Sequence, residues 1–381
     1  MIYKDFQNLK LSALGFGAMR LPVIGGDFAA IDEPAAAEMV DYAIQKGINY
    51  FDTAWGYHDG NSETIMGRIL SQYSRDSFYL ATKFPGYDLS NMNKVETIFE
   101  KQLEKCRVNY FDFYLFHNVC EMNIDAYLDE TYGISDYLKK QKETGRIWHL
   151  GFSAHGSYDV MKRFLETYGK HMEFCQIQLN YLDWSFQDAK AKVELLSEYN
   201  IPIWVMEPLR GGKLASLSED NAAKLKLLRP NEDIPAWAFR FLQTIPNVTV
   251  TLSGMSNIKQ LQDNICTFDS DKPLNTQELD TLLGIADNMT KKISLPCTSC
   301  RYCTDHCPQQ LDIPALIELY NEHCFTSDGG FMAFIAPMAL MAISEDKQPS
   351  ACIGCKSCEA VCPQNIKISE VLANFTAKLN G

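Results

Sequence analysis

Four side chains with complementary proton chemistry stand at the ends of short apolar runs. NYFDTAWGY (Asn49–Tyr57) is apolar up to Asp52, turns, and presents Tyr57 five positions later. FYLATKF carries Lys83, and FDFYLFH closes on His117. A carbonyl that receives a hydride becomes an alkoxide and must be protonated. A tyrosine can give that proton, but a free phenol titrates near pH ~10. A nearby ammonium favours the phenolate and lowers that value. Lys83 is the expected ammonium, Asp52 its expected ion-pair partner, and His117 an expected donor to the substrate oxygen. Each residue has a plainer reading when taken singly: a helix cap, a surface charge, a packed aromatic, a satisfied core-edge histidine. Their recurrence at three successive strand ends favours the chemistry.

A second set of reactive residues lies near the C-terminus. Eight of the thirteen cysteines form two runs. Cys297, Cys300, Cys303 and Cys307 precede Pro308; Cys352, Cys355, Cys358 and Cys362 precede Pro363. The spacing C-x2-C-x2-C-x3-C-P is that of bacterial ferredoxins with two 4Fe–4S clusters, where the fourth cysteine of each run serves the other cluster. One cluster is therefore expected on Cys297, Cys300, Cys303 and Cys362. The second is expected on Cys352, Cys355, Cys358 and Cys307. Zinc is the alternative, since CxxC pairs also bind it. Cys324, between the runs, reads as core rather than ligand.

The elements that must position the first set follow an alternating order. Strands are expected at Leu11–Met19, in the Asp52 stretch, and at Phe78–Phe84, Phe111–His117, Ile147–Ser153, Phe174–Asn180, Ile201–Met206 and Val248–Ser253. Helices are expected at Glu33–Lys46, Asn61–Leu70, Lys94–Cys106, Ser157–Tyr168, Asp188–Tyr199, Pro235–Leu242 and Ile258–Ile265. A long helical region is expected to end near Gly145, and the chain after Met206 reads as a longer loop. Apolar strands alternating with helices imply a parallel sheet covered on both faces. Eight such units close to the typical ~250 residues imply an α/β fold of the (β/α)8 TIM-barrel type, with chemistry on the loops after the strands. The doubly wound alternative usually carries GxGxxG after its first strand, where this chain has GFGAMR. The expected organisation is a barrel over 1–290, then a small, mainly α-helical ferredoxin-like iron–sulfur domain over 291–381. The segments IPALIELYNEHCF and FMAFIAPMALMAI give the tail its helical pattern.

Bulk properties narrow the partners. The 381 residues carry 35 Lys and Arg against 48 Asp and Glu, a net charge of −13. That argues against nucleic acid and anionic membrane surfaces. The apolar stretch Phe331–Ile343 is shorter than the roughly 18 residues of a membrane span and contains Pro337. The N-terminus has no apolar signal core, so a cytoplasmic location is expected. A disulfide framework belongs to small secreted chains, which this does not resemble.

DTAWGY, the Lys83 strand and FYLFH resemble the aldo/keto reductase superfamily over about residues 8–285. The resemblance implies a catalytic tetrad of Asp52, Tyr57, Lys83 and His117, with NADP or NAD extended across the barrel mouth. It implies that Ser153 and Gln176 hold the nicotinamide carboxamide, with Ala154 where the family usually has Asn. Met206 stands where many members stack an aromatic on the nicotinamide. Leu209, Gly211 and Lys213 fall at the pyrophosphate, and Gly254, Met255, Ser256, Gln260 and Asn264 at the adenosine. Many NADP-preferring members have Arg where Gln260 stands, leaving Lys259 as a candidate for a 2′-phosphate. The expected activity is NAD(P)H-dependent reduction of a small carbonyl, or oxidation of an alcohol. The two clusters would pass single electrons to a redox partner protein, or serve a structural or regulatory role. The competing expectation is an iron–sulfur electron-transfer protein whose silent barrel docks a partner.

Overall fold

The computed structural model describes residues 1–291, 294–297, 300–327 and 333–380. The chain divides into two compact units, Met1–Leu282 and Leu283–Gly381.

The first unit opens with an antiparallel hairpin, β1 (Tyr3–Phe6) and β2 (Leu9–Ser12). Eight parallel strands then close a barrel: β3 (Leu14–Gly17), β4 (Tyr50–Asp52), β5 (Tyr79–Phe84), β6 (Phe111–Val119), β7 (Ile147–Ala154), β8 (Cys175–Gln178), β9 (Ile203–Met206) and β10 (Val248–Gly254). Closure is direct, because β3 pairs with both β4 and β10. All eight strands lie where the apolar runs placed them. Their fully buried faces explain why those runs are continuous rather than alternating.

The hairpin was not anticipated. Leu11–Met19 is not one strand. It breaks at Ala13, leaving β2 outside the barrel, β3 inside, and a 3-10 turn at Ala18–Arg20. Ser12 turns the corner: its hydroxyl donates to Leu14 O and accepts from Asn49 N, while its own amide donates to Asn49 Oδ1. Phe6 and Leu11 thereby enter a buried cluster with Tyr50, Phe113, Phe174 and Trp204. The Phe6 ring meets Trp204 edge-on at 5.0 Å, a favourable aromatic geometry. These partners belong to the amino-terminal halves of the strands, so the hairpin floors the barrel there. The carboxyl ends stay open for chemistry.

The helices follow the expected order. Glu33–Gln45 starts at Asp32, whose carboxylate accepts from Ala35 N, and stops before Gly47. Asn61 precedes the helix Ser62–Leu70 without capping it, and donates instead to Ala29 O. The region before Gly145 is two helices, Ile124–Leu128 and Ile134–Glu143, separated at the left-handed Gly133. The segment after Met206 holds a 3-10 stretch, Arg210–Ala215, and a helix, Glu219–Leu228. Only Leu225 of that helix is buried, so it lacks the apolar stripe that marks a helix in sequence.

The second unit is helical: Ile313–Ser327, Ile335–Met341 and Ile368–Asn380. Leu316, Ile317, Leu340, Leu372 and Phe375 form its core, and Cys297, Cys307, Cys352 and Cys362 pack partly buried against it. Phe331 and Met332, at the start of the apolar stretch, lie outside the described residues. Among the described residues no helix is long and apolar enough to cross a membrane.

Candidate active site and cluster sites

β4 delivers Asp52 and β5 delivers Lys83 to the same buried point. Lys83 Nζ donates to Asp52 Oδ1 at 2.6 Å and to Thr53 O at 2.9 Å. Burial pushes the Lys83 ammonium down and the Asp52 carboxyl up, while their mutual attraction opposes both shifts. The two groups form one buried pair at 2.6 Å. The ammonium also lies 5.1 Å from the centre of the Tyr57 ring.

Tyr57 sits on the loop between β4 and the helix Ser62–Leu70, half-buried at the barrel mouth. The loop turns through positive φ at His58, Asp59 and Gly60. His58 is buried and pins it: Nε2 accepts from Leu21 N at 3.2 Å, Nδ1 donates to Phe28 O at 2.6 Å, and the ring stacks on Phe28. The expectation that Lys83 lowers the Tyr57 phenol is not what the arrangement does. Burial first, then the negative charges of Asp52 and Glu207, push it well above 10. Lys83 spends its charge on Asp52, so the phenol stays protonated.

His117 lies on β6 beside a register shift between Phe116 and Val119, where Asn118 takes φ +58°. Such a bulge re-aims a side chain. Ser153 Oγ accepts from Asn118 N at 2.8 Å, and Tyr127 Oη donates to His117 O at 2.8 Å, fixing the bulge. The imidazole meets the Tyr57 ring edge-on at 6.2 Å and the Tyr87 ring at 5.2 Å. Burial, then Lys83 and His155, hold it well below 6.5 and therefore neutral. Its Nδ1 is buried without a hydrogen-bond partner.

Sequence reading missed the network behind Lys83. Glu63 is fully buried and accepts from Thr82 Oγ1, Gln102 Nε2 and Lys105 Nζ at 2.7, 2.7 and 2.9 Å. Gln102 also donates to Lys83 O, and Lys105 covers the Trp55 ring at 4.4 Å. The same helix that follows the Tyr57 loop therefore braces the Lys83 strand.

The loops after β9 and β10 enclose a cleft of about 870 Å³. Leu209, Gly211, Gly254, Met255, Ser256, Gln260 and Asn264 all line it, joined by Arg20, Glu207 and Asp263, which the sequence did not single out. Gly211 takes φ +66°, and a Cβ there would meet the Arg20 guanidinium at 3.3 Å. A Cβ at Gly254 would meet the Arg20 stem at 3.1 Å. The two glycines thus leave room for an arginine beside an open cleft. Lys213 lies on the adjoining 3-10 stretch and not in the lining. Lys259, the candidate for a 2′-phosphate, is engaged by Asp263 at 2.9 Å. Ser153 and Gln176 are direct neighbours on β7 and β8. Gln176 Nε2 lies 3.6 Å from Met206 Sδ, and its buried Oε1 has no partner. An amide acceptor left bare at the strand ends, and a cleft kept open by glycines, fit a dinucleotide with a carboxamide head.

The cysteines gather in two cavities. One, of about 320 Å³, is lined by Cys297, Cys300, Cys303 and Cys362. The other, of about 310 Å³, is lined by Cys307, Cys352, Cys355 and Cys358. Burial and the neighbouring thiols push Cys303 and Cys358 up to about 11. Iron reverses that order by holding the thiolate. Among the described residues no three His, Cys, Asp or Glu side chains gather tightly enough for a single ion. Four thiols around a cavity suit a multi-iron cube better than zinc. Cys324 lies on the helix Ile313–Ser327 and lines neither cavity.

A parallel barrel with a buried Lys–Asp pair beneath a tyrosine at its carboxyl ends, and a paired-cysteine domain after it, defines an oxidoreductase of two parts. The chain belongs to the aldo/keto reductase family, which it matches over residues 13–287, and residues 296–367 match the 4Fe-4S dicluster domain. It is 29% identical over 214 residues to probable aldo-keto reductase 1 of Glycine max, covering 54% of this chain and 58% of that protein. It is 26% identical over 309 residues to L-galactose dehydrogenase of Arabidopsis thaliana, covering 74% of this chain and 94% of that one. Among solved structures it resembles the holo form of aldo-keto reductase AKR11C1 from Bacillus halodurans (TM-score 0.62, 23% identity, 75% of this chain and 96% of that one). An aldo-keto reductase from Klebsiella pneumoniae in complex with NADPH gives TM-score 0.58 at 18% identity, over 74% and 94% of the two chains.

Proposed function

We propose that the chain reduces a small carbonyl compound at the expense of NADPH or NADH, or runs the reverse oxidation, with Tyr57 as general acid–base. The observation that carries this reading is the buried Lys83–Asp52 pair lying under the Tyr57 ring beside a neutral His117. A bound nicotinamide supplies the hydride. Tyr57 gives its proton to the developing alkoxide, and a phenol held protonated is the correct form for that step. His117, uncharged and with a bare Nδ1, orients the substrate oxygen. Asp52 holds Lys83 in place under the Tyr57 ring. Ser153 and Gln176 take the carboxamide. Leu209, Gly211 and Lys213 take the pyrophosphate; Gly254, Met255, Ser256, Gln260 and Asn264 take the adenosine.

The barrel domain is placed at 1–290 and the cluster domain at 291–381, in a chain active in the cytoplasm. Cys297, Cys300, Cys303 and Cys362 hold one 4Fe–4S cluster, and Cys307, Cys352, Cys355 and Cys358 the other. The clusters move single electrons, whereas nicotinamide moves a pair, so their electrons pass to a partner protein. A UV–visible spectrum of anaerobically purified protein, titrated with NADH and NADPH, tests the reading. Cluster absorbance with saturable binding of one nucleotide is expected. Binding of neither would remove the reductase reading and leave the barrel as a docking module.

A further inference from the structure

The two cysteine runs are near-repeats, which makes their differences informative. Each places a basic residue directly after its second cysteine, Arg301 and Lys356, at φ +63° and +62°. Each buries its third cysteine to a similar degree, Cys303 at 8% and Cys358 at 6% exposed. Each leaves its second cysteine, Cys300 or Cys355, exposed. Burial and backbone path are therefore matched. Charge and hydrogen bonding are not.

Arg301 lines the first cavity, but its guanidinium is held by Asp312 at 2.7 Å, and Asp305 is also near it. Lys356 lines the second cavity and has no ion pair among the described residues within salt-bridge distance. Glu359 faces Lys356 and Cys358 and also accepts from the amide and hydroxyl of Ser369 at the start of the last helix, so Lys356 meets this one carboxylate where Arg301 meets two, Asp312 and Asp305. The next position differs as well. Ser357 places its amide and its hydroxyl against the Cys355 sulfur. The first run has Tyr302 there, exposed and without a short hydroxyl arm. Reduction adds one negative charge to a cluster. Unneutralised positive charge and hydrogen bonds to the ligand sulfurs stabilise the reduced form.

We propose that the two clusters are unequal, and that the one held by Cys307, Cys352, Cys355 and Cys358 has the more positive reduction potential. This rests on the cysteine grouping proposed above. One electron entering the pair then leaves that cluster reduced and the Cys297, Cys300, Cys303 and Cys362 cluster oxidised. The order gives the domain a direction: the first cluster is the relay, and the second holds the electron.

Anaerobic redox titration of the reconstituted full chain with dithionite, followed by electron paramagnetic resonance, reads this directly. Two separate one-electron waves are expected. Lys356→Gln and Ser357→Ala should each move the more positive wave to lower potential and leave the other in place, with iron content equal to wild type. Asp312→Asn should raise the more negative wave. Coincident waves in the wild type, or Lys356 and Ser357 variants that move the lower wave or neither, would overturn the proposal. Absence of two cluster signals in the reconstituted wild type would overturn the cluster grouping itself, and the proposal with it.

Discussion

Lys83 Nζ touches Asp52 Oδ1 at 2.6 Å while lying 5.1 Å from the centre of the Tyr57 ring. Removing either partner of such a pair leaves a buried charge alone, at a cost of about 3–5 kcal/mol. Lys83→Met should therefore lower stability by that order in urea unfolding and abolish turnover. Lys83→Met with Asp52→Asn should recover much of the stability and none of the activity. Equal stability of the single and double variants would show that the pair is not coupled.

His58 holds the loop that presents Tyr57, through bonds to Leu21 N and Phe28 O. Each such bond contributes about 1 kcal/mol. His58→Ala should lower kcat through misplacement of Tyr57 and have little effect on nucleotide affinity, because the cleft proposed for the dinucleotide lies mainly on the loops after β9 and β10. Fluorescence titration beside steady-state kinetics separates the two. Loss of nucleotide binding with unchanged kcat would reverse the assignment.

Glu173 ties the hairpin floor to β7. Burial raises its carboxyl, but bonds from His149, Lys142, Gln7 Nε2 and Leu150 N outweigh this and lower it to about 2. A depressed folded-state value stabilises above the unfolded value of ~4.5 and is lost as pH falls toward the folded one. Wild-type stability should fall between pH ~4.5 and ~2, and Glu173→Gln should flatten that slope. Parallel acid unfolding curves for the two proteins would exclude the linkage.

The crossing of the fourth cysteines is separable. Cys362→Ser should weaken the same cluster signal as Cys297→Ser, and Cys307→Ser the same signal as Cys352→Ser, by electron paramagnetic resonance of the reduced protein. Pairing of Cys307→Ser with Cys297→Ser would mean that each run serves one cluster alone.

The barrel strands were readable because they are largely apolar runs, and Asp52, Lys83 and His117 stand at or within two residues of the ends of β4, β5 and β6. The cysteine runs were readable from spacing alone. Residues whose meaning depends on what folds against them were not. Glu63 looks like an ordinary first-turn acid until Thr82, Gln102 and Lys105 converge on it. Arg20 reaches the cleft only because Gly211 and Gly254 leave space for it. The hairpin strands are four residues each, and Tyr3–Phe6 carries two charges, too little pattern to declare a strand. The direction of the Tyr57 shift differs from the sequence expectation because sequence shows the ammonium and its Asp52 partner but hides the burial of the phenol and the approach of Glu207.

The central claim is that Tyr57 moves the proton. NAD(P)H-dependent reduction of a panel of small aldehydes and ketones by Tyr57→Phe, with nucleotide binding and iron content measured on the same sample, tests it most directly. Turnover should fall by at least the ~10²–10⁴-fold of a lost general acid, with binding and iron unchanged. Wild-type turnover in that variant would contradict the account.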